Sequence, residues 1–192
     1  MQDDHRKEWD ERHANADGVG TPSEVLLRNR HLLPKSGKAL DFACGRGANA
    51  LELAKCGLEA HAWDFSAVAI ERLREEALHR GLFIQGEERD VVSNPPEPNS
   101  FDLIIVTHFL ERDLFPALMA ALRPGGLLFY QTFIREIRLD RGPKSKEWRL
   151  GNNELLQAFS DLRVHYYLEE GALGAETSEV ADLAMLVASK PA

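Results

Sequence analysis

The sequence predicts an α/β fold built on a doubly wound, mostly parallel seven-stranded sheet that ends in an antiparallel hairpin. Three observations carry this expectation. Short apolar runs alternate with helix-compatible segments along most of the chain, the pattern of a parallel sheet covered by helices on both faces. A two-glycine turn, Cys44-Gly45-Arg46-Gly47, follows the first apolar run and precedes a helical segment, which is where such sheets build a ligand-binding loop. Two strand-like runs late in the chain are joined by a loop with no room for a crossover helix, so they are expected to pair antiparallel.

Taken in order, residues 3–13 read as a polar amphipathic helix carrying Trp9, followed by the loop Gly18-Val19-Gly20. Thr21-Pro22-Ser23-Glu24 has the spacing of a capping box with proline at the first helical position. A second helix is therefore expected to run to about Leu33, where Pro34 ends it. Strands are expected at 38–43, 58–63, 82–85, 101–107 and 127–133, with helices near 48–55, 67–80 and 111–122. A last helix near 153–159 leads into the hairpin strands 162–168 and 181–188.

At 192 residues and 44% hydrophobic, the chain suits one domain with a sizeable core. Its parts are expected to be a helical cover at 1–33, a ligand-binding core at 38–133, a basic segment at 134–150, and a terminal helix and hairpin at 151–192. A net charge of −8 makes the whole molecule a poor polyanion binder. DNA is not an expected partner, and RNA is disfavoured outside a local patch. No apolar stretch approaches the roughly 20 residues of a membrane span, and the first ten residues are too polar for a secretion signal. Cys44 and Cys56 have neither metal-ligand spacing nor a disulfide framework, so no metal is expected and a cytoplasmic location is. Cys44 reads as a small loop filler and Cys56 as a helix-end residue. Nothing in the sequence sets the oligomeric state.

Two cofactors compete for the glycine turn. Gly45-x-Gly47-x-x-Ala50 satisfies the dinucleotide pattern, and Asp64 follows about twenty residues on, where a ribose-binding acid belongs. Asp41, just before the turn, argues the other way, because an acid there repels a pyrophosphate and suits a cationic ligand. The sulfonium and ammonium of S-adenosylmethionine are such cations.

Here the chain resembles the class I S-adenosylmethionine-dependent methyltransferases, a Rossmann-like family whose first motif reads acid-x-x-x-Gly-x-Gly. His61-Ala62-Trp63-Asp64-Phe65-Ser66 is similar to the second motif, with an acid that takes the ribose hydroxyls. Glu88-Arg89-Asp90-Val91 resembles the third, where an acid meets the adenine amine. Phe101-Asp102-Leu103-Ile104-Ile105-Val106 resembles the fourth strand, and Leu122-Arg123-Pro124-Gly125-Gly126-Leu127 the turn before the fifth. Together these motifs span most of the chain in the family's order. Within the family, Cys44-Gly45-Arg46-Gly47-x-Asn49, Trp9-Asp10-Glu11-Arg12 and Asn153-Glu154-Leu155-Leu156 look most like the tellurite-resistance and thiopurine methyltransferase branch. The resemblance implies a cofactor site drawn from Trp9, Arg12, Asp41, Ala43, Cys44, Gly45, Gly47, Asn49, Asp64, Phe65, Ser66, Asp90, Val91 and Thr107. It also implies small-molecule acceptors such as tellurite, selenite or thiols.

Methyl transfer from a sulfonium is an in-line displacement, so alignment, exclusion of water and, where needed, removal of a proton are the protein's tasks. His108 follows the fourth strand, at the sheet edge where ligands bind, and can accept a proton from a thiol, hydroxyl or amine, or merely contact the cofactor. Arg112, one helical turn on, can orient an anionic nucleophile or pair with a nearby acid. Tyr130 and Phe133 can wall the pocket or pack the core, and Trp148 has the same two readings. The 134–150 segment holds Arg135, Arg138, Arg141, Lys144, Lys146 and Arg149 against three acids, which fits either a solvated loop or a lid that draws in an electron-rich acceptor. His165 reads as structural. Asn94-Pro95-Pro96 is similar to a motif of amino-group methyltransferases, but Glu97 stands where an aromatic belongs, and the triplet reads as a turn. Two other functions remain open: methylation of RNA or protein guided by the basic segment, and a noncatalytic sensor of the adenosyl ligand.

Overall fold

A computed structural model describes residues 2–139, 141–173 and 178–192. Seven strands, β1 (Lys38–Phe42), β2 (Glu59–Asp64), β3 (Ile84–Glu88), β4 (Phe101–Thr107), β5 (Leu122–Phe133), β6 (Arg163–Glu169) and β7 (Leu183–Ser189), form one sheet in the order β3-β2-β1-β4-β5-β7-β6. The first five are parallel, and β7 is antiparallel to both β5 and β6. Among the described residues six α-helices accompany them: α1 (Gln2–Ala14), α2 (Glu24–Arg28), α3 (Ala48–Lys55), α4 (Ala67–His79), α5 (Phe115–Ala121) and α6 (Glu154–Ala158). The strand order reverses between β1 and β4, which sets the crevice beyond their carboxyl ends as the ligand-binding position.

The central strands read as continuous apolar runs because both of their faces are covered. Leu103, Ile104, Ile105 and Val106 of β4 are fully buried, as are Leu128 and Phe129 of β5 and residues 184–188 of β7. One face packs Phe42, Ile104, Val106, Leu118, Tyr130 and Phe159 together. The other joins Val25, Leu26, Leu53, Ile105, Phe129 and Met185.

Several expected boundaries move, each for a local reason. The capping box does not form. Ser23, not Thr21, precedes the helix, and α2 gives way at Asn29 to a 3-10 turn over Arg30–Leu32. The first N–H groups of α2 are taken from outside: Ser23 N–H donates to Asn49 Oδ1 and Val25 N–H to Gln131 Oε1, each at 2.8 Å. Asn29 Nδ2 then donates back to the Val25 carbonyl, competing with continued helix. β3 is displaced to later, more polar residues, because an edge strand exposes one face and tolerates Gln85, Glu87 and Glu88 there. β5 begins at Leu122 rather than Leu127, since the Pro124-Gly125-Gly126 turn stays paired through Gly125 N–H to Lys190 O and Lys190 N–H to Gly126 O. Residues 112–114 form a 3-10 turn before α5.

Candidate active site

The glycine turn rests on a buried acid. Asp41, at 0% exposure near the end of β1, accepts the N–H of Ala50 in α3 at 3.0 Å through Oδ2, while Oδ1 has no hydrogen-bond partner. Burial pushes its carboxyl up to about 8, against the opposing pull of the Ala50 and Asn49 contacts. Gly47, at φ +76°, starts α3, and a Cβ there would lie 2.4 Å from Leu73 Cδ1 of α4. Glycine is thus required at 47 both for the left-handed backbone and for close approach of the two helices.

Asp64 closes the turn from β2. Its Oδ2 accepts Gly45 N–H at 2.7 Å and its Oδ1 accepts Ser66 N–H at 3.0 Å. Burial raises its pKa, and those two backbone donors oppose the rise. Each carboxylate oxygen keeps a further lone pair, so Asp64 can hold the turn and still accept ligand hydroxyls. Ser66 caps α4 by accepting Ala69 N–H. Phe65 beside it is half-buried, and Val91, after β3, is buried in the core. Asp90 turns its oxygens to its own loop, Oδ1 to the N–H of Val92 and Oδ2 to the Ser93 hydroxyl, which with the other loop contacts hold its carboxyl below the usual range. Arg89 holds the Asn94-Pro95 carbonyls and stacks on Trp63, in keeping with a turn.

Asn49 ties three elements at the crevice. Its Oδ1 takes Ser23 N–H and its Nδ2 donates to Thr107 Oγ1 at 3.1 Å. Two non-glycine residues flank this point with positive φ, Ala43 after β1 at +55° and His108 after β4 at +54°. Left-handed backbone costs energy for such residues and clusters at functional sites. Cys44 donates its N–H to Trp63 O and its thiol pKa is raised well above normal, chiefly by burial, so it carries no nucleophilic thiolate.

The N-terminal helix lies over this loop. A Cβ on Gly45 would come within 3.4 Å of His13 Cε1. Asp10 accepts from the Ser66 hydroxyl, Arg6 pairs with Glu88 at 2.7 Å, and Arg72 of α4 donates to the carbonyls of Ala14 and Ala16. His13 has its pKa lowered, first by burial, with Asp64 acting in the other direction. Trp9 stacks on His13, and the exposed Arg12 sits 4.8 Å from the Trp9 ring centre. The sequence pointed to Trp9 and Arg12 for the cofactor, but the α1 side chains that touch the loop are Asp10 and His13, and Arg12 is turned to Trp9 instead. The i, i+3 spacing of Asp10 and His13 on one polar helix face was the available signal. Cofactor is expected to slow proteolytic cleavage near residue 15 at least several-fold; equal rates with and without S-adenosylhomocysteine would argue against a closing cover.

On the acceptor side, His108 N–H donates to Gln131 O at 2.9 Å, its ring stacks on Phe133 at 5.1 Å, and its Nε2 lies 3.3 Å from Gln131 Nε2. His108 is exposed as a residue, yet the protein atoms crowding its ring lower its pKa, with Arg141 second and Asp182 opposing. Arg112 has partners other than an acceptor. It pairs with Glu154 through Nε and Nη2 at 2.6 and 3.2 Å, and donates to the Glu147 and Arg149 carbonyls. Tyr130 is buried, donates to Phe109 O and packs on Phe115 and Phe159, so it belongs to the core rather than to a pocket wall. Trp148 is half exposed and is not core.

The basic segment is stitched internally. Arg141 pairs with buried Asp182 at 2.6 Å, Arg138 donates to Ala172 O, and Arg149, at 0% exposure, donates to the carbonyls of Ile134, Pro143 and Arg141 while stacking on Phe133. Asp140, counted among its acids, lies outside the described residues. His165 contacts Ser189 Oγ on the hairpin. Among the described residues no group of three or more His, Cys, Asp or Glu is placed to hold a metal ion, and no helix is long and apolar enough to cross a membrane.

The glycine turn on a buried acid lies at the switch point of a sheet of order β3-β2-β1-β4-β5-β7-β6, the α/β methyltransferase fold. Residues 39–126 match the family model described as a methyltransferase domain. The sequence is 32% identical over 106 residues to a ubiquinone biosynthesis O-methyltransferase of Chelativorans, covering 53% of this chain and 42% of that protein. It is 32% identical over 105 residues to a tRNA 5-carboxymethoxyuridine methyltransferase of Escherichia coli, covering 50% and 40%. The chain thus spans less than half the length of these curated relatives. TehB from Haemophilus influenzae has the same fold, with a TM-score of 0.70 at 24% identity, over 87% of this chain and 61% of that one.

The match to the methyltransferase family model implies S-adenosylmethionine as cofactor, and the residues present fit it. Asp41 is fully buried with Oδ1 unpartnered, and a cationic group nearby would offset the burial that keeps its carboxyl from ionising. The spare lone pairs of Asp64, beside the side-chain-free Gly45, suit a ribose. When bound, the cofactor supplies an electrophilic methyl group. The chain's own residues hold the turn, cover it with α1 and present His108 at the open edge.

Proposed function

We propose that the protein transfers the methyl group of S-adenosylmethionine to a small-molecule acceptor. The observation that carries the small-molecule reading is the internal commitment of basic side chains: Arg138, Arg141 and Arg149 of the basic segment, and Arg112 packed against it, all have protein partners. They are poorly disposed to follow a phosphate backbone, and the net charge of −8 opposes one. Relatives that act in ubiquinone biosynthesis and on tRNA set the two poles of the acceptor question. Likeness to the tellurite-resistance branch adds soft oxyanions and thiols on the small-molecule side. We favour an electron-rich small molecule that meets the methyl group beside His108.

Calorimetry is expected to give micromolar binding of S-adenosylmethionine and S-adenosylhomocysteine and none of NAD. Radiolabelled methyl transfer into fractionated cell extract is then expected to label the small-molecule fraction. Label confined to RNA or protein would overturn the acceptor class. Cofactor binding with no label in any fraction would favour a sensor.

A further inference from the structure

We infer that Gln131 fixes His108 as a neutral imidazole with its proton on Nδ1, so that His108 meets the acceptor as a hydrogen-bond donor rather than as a base. This rests on the reading that an acceptor approaches beside His108. The deciding contact lies on the far side of Gln131. Val25 N–H, at the start of α2, donates to Gln131 Oε1 at 2.8 Å in a buried setting. A backbone N–H can only donate, so the amide oxygen must face it; the flipped amide would set donor against donor. The amide nitrogen therefore faces His108 Nε2 at 3.3 Å.

An amide NH₂ has no lone pair to offer, so the ring nitrogen opposite it must be the acceptor. The ring then carries its proton on Nδ1. The arrangement is rigid, because Thr107 pairs in register with Gln131, His108 N–H bonds the Gln131 carbonyl, and the ring is stacked on Phe133. Gln131 itself is only 2% exposed. Protonation of Nε2 would oppose two donors, and Arg141 adds a like charge on the same side of the balance, with Asp182 against it. Among the described residues, Gln131, Arg141 and Asp182 are the groups that bear on the ring's proton.

The consequence is a substrate class. A nucleophile that must lose a proton finds the Nε2 lone pair already engaged. An acceptor that arrives as an anion, such as a carboxylate, a soft oxyanion or an acidic phenol, finds an Nδ1–H able to hold it in line with the methyl group. Gln131 acts through His108 and is a positioning residue.

The tautomer is directly readable. Long-range ¹H–¹⁵N correlation spectra of the full-length, ¹⁵N-labelled protein, assigned by the signals lost in His108→Ala, are expected to show His108 neutral and protonated on Nδ1 near neutral pH. Gln131→Glu keeps an acceptor for Val25 N–H but turns a carboxylate to Nε2. It is expected to move the proton to Nε2 and raise the His108 titration midpoint by about one to three units, with S-adenosylhomocysteine affinity within about twofold of wild type. If that variant does not fold, Gln131→Met, which removes the amide, is expected to give a mixture of both tautomers. Wild-type His108 protonated on Nε2, or a folded variant with the wild-type tautomer and midpoint, would overturn the inference. These spectra need no acceptor, so failure to find methyl transfer would count against the proposed function and leave the tautomer result standing.

Discussion

Asp64→Ala is expected to weaken S-adenosylmethionine binding roughly 10- to 100-fold, since hydrogen bonds to a charged group contribute about 1.5–3 kcal/mol and each 1.4 kcal/mol is about tenfold. Two losses combine in that number. The carboxylate no longer receives ligand hydroxyls, and Gly45 N–H and Ser66 N–H lose the acceptor that shapes the turn. Asp64→Asn helps to separate them, because an amide oxygen can keep one backbone bond while its NH₂ faces the other donor. Titration calorimetry with S-adenosylhomocysteine reads both variants. A folded Asp64→Ala protein that binds as tightly as wild type would remove Asp64 from the ligand site and leave it as a loop residue only.

Arg149→Met is expected to give the largest stability change. The guanidinium is shielded from solvent, and burial pushes its pKa down. Its donors satisfy the carbonyls of Ile134, Arg141 and Pro143. Methionine fills the stem's volume but leaves those carbonyls unpaired. At about 1 kcal/mol for each, the loss is about 3 kcal/mol, and a chain of this size then melts about 6–12 °C lower. Thermal unfolding followed by circular dichroism measures it. An unchanged midpoint would mean that water replaces the guanidinium without penalty. Because Arg149 stacks on Phe133, and Phe133 on His108, a loosened segment also reaches the acceptor side.

The parts of this molecule that are legible in its sequence are those whose cause is local. Gly45 and Gly47 announce a turn because only glycine adopts those backbone angles freely, and the buried strands announce themselves by unbroken apolar runs. The antiparallel end of the sheet follows from loop length alone. Illegible are the partners of long polar side chains. Nothing near Arg112 or Arg149 in the sequence says that one will pair with Glu154 and the other will gather three carbonyls, so six cations in seventeen residues look like a surface field when several are internal struts. The capping box fails for a related reason. Asn49 and Gln131 reach Ser23 and Val25 from distant points of the chain, and tertiary donors and acceptors override the local motif. Gln131 looks like an ordinary strand residue until the amide's two ends are seen to face a backbone N–H and an imidazole.

The place of β7 has a consequence for how this chain is made. β7 follows β6 in sequence yet lies inside it, between β5 and β6, and it is buried along almost its whole length. A chain growing from its N-terminus therefore releases β1 to β5 with the outer edge of β5 unpaired, and β6 emerges with no strand to join. Both wait for β7. During that interval the backbone of residues 127–133, flanked by Leu128, Phe129 and Tyr130, offers an open apolar edge to any other nascent chain. The yield of native protein is thus tied to the time that elapses in translation between strand five and strand seven.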